Sequence, residues 1–348
     1  MGTVKALSRA KSLVRLCAAE VYANSPAFLR GLRGKVSILM YHRVVTEAEL
    51  SSQFIQPGMY VTAETFERQL QLLHKYFHVI SLSELLAMWR EHAWDASRRY
   101  CVITFDDGWL DNYVHAFPLL RRFNVPATIF IPTGMVGTAK WFWPERIGWL
   151  VQRFSGLSLQ RRSEVLASFE DGDSWLNGMS HDLKAGRLDA LIERGKTVTH
   201  DRIEELIARL ADAMEVRLPV ERMVMNWDEV RDMAAANISF GSHSVNHKIL
   251  TDVSEAELQE EVCGSLDTLR SQGLKGEIAF CYPNGNYSAQ AMRTVESAGY
   301  CAATTTEPGW EYQEPARLFR LRRIAVHNDL TSSDSLFAFH LGGFNNAS

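Results

Sequence analysis

Two short segments carry residue types able to do chemistry together. In Thr104-Phe105-Asp106-Asp107-Gly108-Trp109 an apolar run, Tyr100 to Ile103, ends in adjacent carboxylates followed at once by glycine. In Ile238-Ser239-Phe240-Gly241-Ser242-His243-Ser244-Val245-Asn246-His247 a second apolar run leads into two histidines four residues apart. A turn into helix at that point predicts both imidazoles on one face. Two imidazoles and one carboxylate form the three-ligand set of a catalytic zinc-type site, which leaves a coordination position for water or substrate. The paired acids then divide the work, one binding the ion and the other free to take a proton from water. A solvated Asp-Asp turn and a helix-start histidine are the plain readings of each segment alone. Their combination favours a metal centre.

Those side chains need a frame, and the bulk properties bound it. The 348 residues suffice for one large domain with an insertion or for two smaller ones. With 46% hydrophobic and 22% charged residues the composition is that of an ordinary soluble protein. A formal net charge of -4 argues against a general basic field for nucleic acid. The five cysteines (Cys17, Cys101, Cys263, Cys281, Cys301) form an odd set without a Cys-x-x-Cys motif, which points to a reducing compartment. No apolar run approaches the ~20 residues needed to cross a bilayer. Arg15 and Glu20 interrupt the only apolar segment near the N-terminus that a secretory signal would need, and the expected location is the cytoplasm.

Strand and helix patterns alternate from Val36 to about Pro132. Strands are expected at 36–40, 79–80, 100–104 and 127–131, with helices at 62–76 and 112–123. The alternation resumes at Asn226, with helices at 226–235, 255–271 and 289–298 and strands at 238–240, 278–281 and 301–305. Such βα repetition predicts a mainly parallel α/β sheet, and chemistry at strand ends favours a distorted (β/α)7-8 barrel. Residues 139–225 break the rhythm. They begin with Trp141-Phe142-Trp143-Pro144, continue through helical patterns at 157–169 and 201–216, and read as a helical insertion whose aromatics either pack it or line a sugar or lipid site. The expected organisation is a basic extension over 1–35, a barrel over 36–138 and 226–330, the insertion over 139–225, and a C-terminal helix and tail over 331–348.

In this order and spacing, Thr104-Phe105-Asp106-Asp107-Gly108, Pro126-Ala127-Thr128-Ile129-Phe130, His243-Ser244-x-x-His247 and Phe280-Cys281-Tyr282-Pro283-x-Gly285 resemble the motifs of the polysaccharide deacetylase family. This family, carbohydrate esterase family four, is also called the NodB-homology domain. The resemblance covers roughly 36–138 and 226–330. It implies metal-dependent hydrolytic removal of an N-acetyl group from an amino sugar, with Asp107, His243 and His247 as metal ligands and Asp106 as general base. It also implies oxyanion stabilisation by a backbone N–H near Tyr282. Common members carry Arg where Cys281 stands, paired with the base. Arg323, on the last apolar strand, is the candidate replacement, against the plain reading of a solvated arginine in a basic run. The general acid of common members is a histidine ending the last strand, here His327. The opening Ile38-Leu39-Met40-Tyr41-His42 resembles a permuted branch in which that strand comes first, and this favours His42.

Residues 1–35 carry Lys5, Arg9, Lys11, Arg15, Arg30, Arg33 and Lys35 against the single acid Glu20. At helical period Val4, Leu7, Val14, Cys17, Ala18 and Val21 share one side. Such a helix lies on an anionic membrane surface or packs across the bottom of a barrel. The last seven residues, from Gly342, are expected to fray. Together these features predict a hydrolase that deacetylates an N-acetylated oligosaccharide or lipid-linked sugar, peripheral on the cytoplasmic face of a membrane, in a cell-surface polysaccharide pathway. Zinc is the expected ion, with cobalt, nickel and manganese as alternatives. A deformylase of a lipid-linked amino sugar is the rival enzyme, and an inactive carbohydrate-binding barrel is the rival of another class.

Overall fold

The computed structural model describes residues 2–169, 185–315 and 317–344, with side chains described from residue 13 and, after the gap, from residue 188. It divides into two compact units, one of 1–46, 58–137 and 224–348 and the other of 47–57 and 138–223.

The first unit is built on ten strands: β1 (Val36–Tyr41), β2 (Arg43–Val45), β3 (Tyr60–Thr62), β4 (His78–Val79), β5 (Tyr100–Phe105), β6 (Ala127–Ile131), β7 (Ile238–Ser242), β8 (Phe280–Cys281), β9 (Ala303–Pro308) and β10 (Leu321–Ala325). Seven of them, in the order β1-β10-β9-β8-β7-β6-β5, close into a parallel ring through the β1–β5 pairing. The fold is a (β/α)7 barrel. Strand β4 pairs with the start of β5 and β6 with its end, so two strands share one edge of β5 and β4 stays outside the ring. Strands β2 and β3 form a separate parallel pair that the sequence patterns missed, because three residues are too few for an alternation to register.

Burial on every position of β1, β5 and β6 explains their continuous apolar sequences. Ile38, Val102, Phe130, Cys281 and Leu321 meet in one apolar cluster, joined by Leu85 and Trp89 from the helix Leu82–Arg90. Helix starts are set by local capping. Thr62 caps the helix Ala63–Tyr76, and Asn226 with Glu229 forms a capping box on Trp227–Ala234.

The N-terminal helix Gly2–Ala23 runs along the C-terminal helix Asp334–Leu341. Arg15 donates to the Leu330 carbonyl (3.0 Å), Glu20 accepts from Ser335, and Tyr22 packs edge-on against Phe339 (5.9 Å). The buried side of the helix is therefore Arg15, Ala19 and Tyr22, while Val14, Cys17, Ala18 and Val21 face outward. Val4 and Leu7 of the expected stripe lie outside the described side chains. At the chain end Phe344 stacks on Phe339 (4.6 Å, 15°) and meets Tyr22 edge-on. The remaining tail, 345–348, lies outside the described residues.

The second unit is helical, with Glu47–Ser52, Trp143–Ser155, Leu159–Ala167, Ala185–Gly195 and His200–Ala213, and its described residues include no strand. Its core gathers Ile147, Leu150, Phe154, Leu191, Leu206 and Leu210. Trp143 packs against this core and Phe142 is buried, while the Trp141 indole donates to the Glu221 carbonyl (2.7 Å). Segment 47–57 belongs to this unit although it lies among barrel residues in sequence.

Candidate metal centre and active site

The carboxylate pair sits where β5 leaves the barrel. Asp107 and Gly108 both take positive φ (72° and 66°), turning the chain sharply so that successive side chains diverge. A Cβ on Gly108 would lie 2.6 Å from Ile131, so the turn needs glycine. On the β7 side a Cβ on Gly241 would meet Phe130 at 2.5 Å.

His243 and His247 are not on a helix. The chain after β7 is a loop in which Ser244 and His247 adopt positive φ (64° and 58°). The loop is held by hydrogen bonds the sequence patterns do not reveal. Buried Glu261 accepts from the N–H groups of Val245 (2.9 Å) and Asn246 (2.7 Å), and the Ser244 hydroxyl accepts from His247 N–H (3.0 Å). These bonds replace the helical ladder and bring the imidazole centroids to 4.7 Å.

The resulting convergence is tight. Asp107 Oδ1 lies 3.4 Å from His243 Nε2 and 3.2 Å from His247 Nε2. His243 Nδ1 is 2.8 Å from the Cys281 carbonyl, which can only accept. The proton therefore sits on Nδ1, and Nε2 presents a lone pair inward when the ring is neutral. Two imidazole nitrogens and a carboxylate oxygen within 4.8 Å of one another are a donor set that fits a divalent ion. Burial would raise the Asp107 pKa, but the imidazoles beside it hold it well below the usual carboxylate range. Burial likewise works to lower His243, and the Cys281 thiol with the neighbouring carboxylates overrides it, raising its pKa well above the ordinary value.

Asp106 faces the barrel axis and meets Arg323 in a bidentate pair, with Nη1 to Oδ1 and Nη2 to Oδ2 both at 2.7 Å. Arg323 is fully enclosed. Its Nη1 also donates to the Thr104 hydroxyl (3.1 Å), its Nε to the Thr305 carbonyl (2.9 Å), and its Nη2 lies 3.2 Å from Cys281 Sγ. A shift in register between Leu321 and Arg323 accompanies this arrangement on β9 and β10. Burial would push Asp106 up, and the guanidinium outweighs it to leave the pKa low. Asp106, His243 and Cys281 also approach one another, but the guanidinium already occupies the cation position beside Asp106.

Both candidate acids reach this end of the barrel. Pairing of Tyr41 with Phe105 sets His42 level with Asp106, and His42 Nε2 is 3.9 Å from Asp106 Oδ2. Pairing of Met40 with Ala325 sets His327 level with His42 on the next strand. His327 Nδ1 is 3.5 Å from Asp329. Burial lowers both imidazoles, against the pull of Asp107 and Asp106 on His42 and of Asp329 on His327.

Tyr282, near which an oxyanion donor is expected, directly follows β8. Its N–H donates to the Thr304 carbonyl (3.2 Å) and its hydroxyl to the Phe319 carbonyl (3.2 Å). The strand pairing of β8 with β9 takes up that N–H.

A polysaccharide deacetylase family profile matches residues 94–216 and 165–303, together more than half of the chain. The chain belongs to the polysaccharide deacetylase family. YxkH of Bacillus subtilis (strain 168) is 20% identical over 300 residues, spanning 86% of this chain and 74% of that relative. Among solved structures, the Streptococcus pyogenes deacetylase PplD matches with a TM-score of 0.56 at 20% identity, covering 87% of this chain and 97% of its own. IcaB from Ammonifex degensii matches at 0.54 and 17% identity, covering 88% and 97%. These structures share the barrel fold. Family membership makes the protein a hydrolase of amide bonds in the N-acetyl groups of a polysaccharide.

Proposed function

We propose that this deacetylase is metal-dependent and that Asp107, His243 and His247 hold the ion. The observation that carries the reading is the convergence of Asp107 Oδ1 on two imidazole Nε2 atoms, at 3.4 and 3.2 Å, beside an ionised Asp106. A divalent ion there would supply Lewis-acid chemistry, polarising the acyl carbonyl and acidifying water. Asp106 takes the proton of the attacking water, and Arg323 keeps it ionised and aligned for that task. As the C–N bond breaks, His42 gives a proton to the departing sugar amine and acetate is released. Its 3.9 Å approach to Asp106 and its place after Tyr41 in a permuted-type first strand favour His42 over His327. Arg323 offers Asp106 the cation that Cys281 cannot, which supports an active enzyme over an inactive binding barrel.

The same site can hydrolyse a formamide. The likeness to PplD, a deacetylase solved in complex with acetate, supports the acetyl reading. The proposed substrate is an N-acetylated amino sugar of a lipid-linked or cell-surface glycan, met at the cytoplasmic face of a membrane. The outward Val14, Cys17 and Val21 in a segment with a basic excess support such a contact. No described helix is long and apolar enough to cross a membrane.

Elemental analysis tests the centre without a guess about substrate. About one divalent ion per chain is expected in the wild type and little in Asp107→Asn or His247→Ala. The metal-loaded protein should then release acetate, not formate, from acylated amino sugars. Equal, negligible metal in three folded, reconstituted proteins would remove the metal reading.

A further inference from the structure

A buried charged pair beside the site has no part in the chemistry described so far. Arg43 Nε donates to Asp111 Oδ2 at 2.8 Å, with both residues in the interior. Burying such a pair carries a desolvation penalty that an apolar pair would avoid, so its geometry is informative. The other Asp111 oxygen accepts from Val44 N–H (3.0 Å) and from the Asn112 amide (3.2 Å). That amide also donates to the His42 carbonyl (2.7 Å). The segment leaving β1 is thus fastened to the segment leaving β5.

The Arg43 guanidinium lies over the Trp109 ring, 4.7 Å from its centroid, and Trp109 is almost fully buried. The Trp109 indole N–H donates to Asp107 Oδ2 at 3.0 Å. The two oxygens of one carboxylate therefore have different partners: Oδ2 accepts the indole N–H hydrogen bond, and Oδ1 faces both histidines. A free carboxylate rotates about its Cβ–Cγ bond and offers an ion one oxygen or two. This one is held in a single rotation by a donor whose plane is covered by a locked guanidinium.

We propose that Trp109 is a positioning residue for the metal centre: it reserves Asp107 Oδ2 so that Asp107 ligates through Oδ1, and Arg43 with Asp111 holds the indole in place. The proposal rests on the metal reading of Asp107, His243 and His247. Hydrogen bonds of this kind orient ligands and are worth about 10–100-fold in metal affinity.

Trp109→Phe keeps an aromatic ring and removes the donor. Full-length wild type and variant are stripped of metal and titrated with cobalt(II) against a chromophoric chelator, with circular dichroism to establish folding. The expected result is cobalt affinity at least ~10-fold weaker in Trp109→Phe, with a changed visible cobalt spectrum as Oδ2 becomes free to join the ion. Affinity within about twofold of wild type and an unchanged spectrum would overturn the proposal while leaving the metal reading intact. Should Trp109→Phe not fold, Asp111→Asn decides by the same readouts, because it frees the Arg43 that holds the indole against Asp107 while keeping the indole itself. A folded wild type that binds no cobalt would sink both the metal reading and this proposal.

Discussion

Removal of Arg323 should injure stability and chemistry together, by amounts the geometry sets. The guanidinium makes two 2.7 Å bonds to Asp106, and both side chains are all but enclosed. Arg323→Ala leaves a buried carboxylate without its cation, a loss worth about 3–5 kcal/mol. For a unit of this size that corresponds to a fall in Tm of roughly 6–20 °C. The orphaned Asp106 relieves its burial by binding a proton, which removes the general base, and about 10²-fold or more of activity should go with it. Calorimetry and acetate-release kinetics on the metal-loaded protein read the two effects separately. Asp106→Asn in the Arg323→Ala background should recover part of the stability and none of the activity, since it removes the buried charge and the base alike. The combination Cys281→Arg with Arg323→Ala returns a guanidinium from the other side, where Cys281 Sγ lies 3.5 Å from Asp106, and should recover part of both. An Arg323→Ala protein within about 2 °C and threefold of wild type would refute the reasoning, because a solvated arginine would behave that way.

His42→Ala should lower turnover by about 10²-fold while metal content is kept, and His327→Ala should do far less; the reverse order would reassign the acid. His340 is buried, donates to the Ala325 carbonyl, and has its pKa pushed down by burial to about 4. Its imidazole stays neutral in the folded state while the unfolded chain binds a proton below about 6.5. Stability from this residue is therefore full above that pH, falls as pH drops toward about 4, and changes by about 3 kcal/mol in all. Urea midpoints of wild type and His340→Gln compared near pH 7 and pH 5 test this, and equal slopes with pH would refute it. Vesicles containing anionic lipid should retain the full-length protein better than a chain starting at Lys35, and equal retention would remove the membrane contact.

The chemistry and the strands that deliver it were legible in the sequence because both are local. A buried strand shows as an apolar run, and its reactive end shows as Asp-Asp-Gly or His-x-x-x-His immediately after it. The expected strands at 36–40, 100–104 and 127–131 differ from those observed by at most one residue at an end. What was hidden depends on partners far along the chain or on loop hydrogen bonds. The His243 to His247 spacing suggested a helix, yet Glu261 and Ser244 hold it as a loop, and only the folded loop lets Glu261 reach two successive N–H groups. The periodicity of the N-terminal helix left its partner open between a membrane and the protein, and it did not point to Ala19 and Tyr22, which make the packed side among the described residues.

The sequence alone thus determined which groups could bind an ion and move a proton, because residue type and strand-end position are written in consecutive letters. Tertiary structure decided how those groups are paired. Closure of the barrel brings Arg323 to Asp106 across 217 positions and sets His42 and His327 level on adjacent strands. It also brings His243 and His247 to Asp107 Oδ1. Those relations follow from strand register and ring closure, which no local pattern encodes.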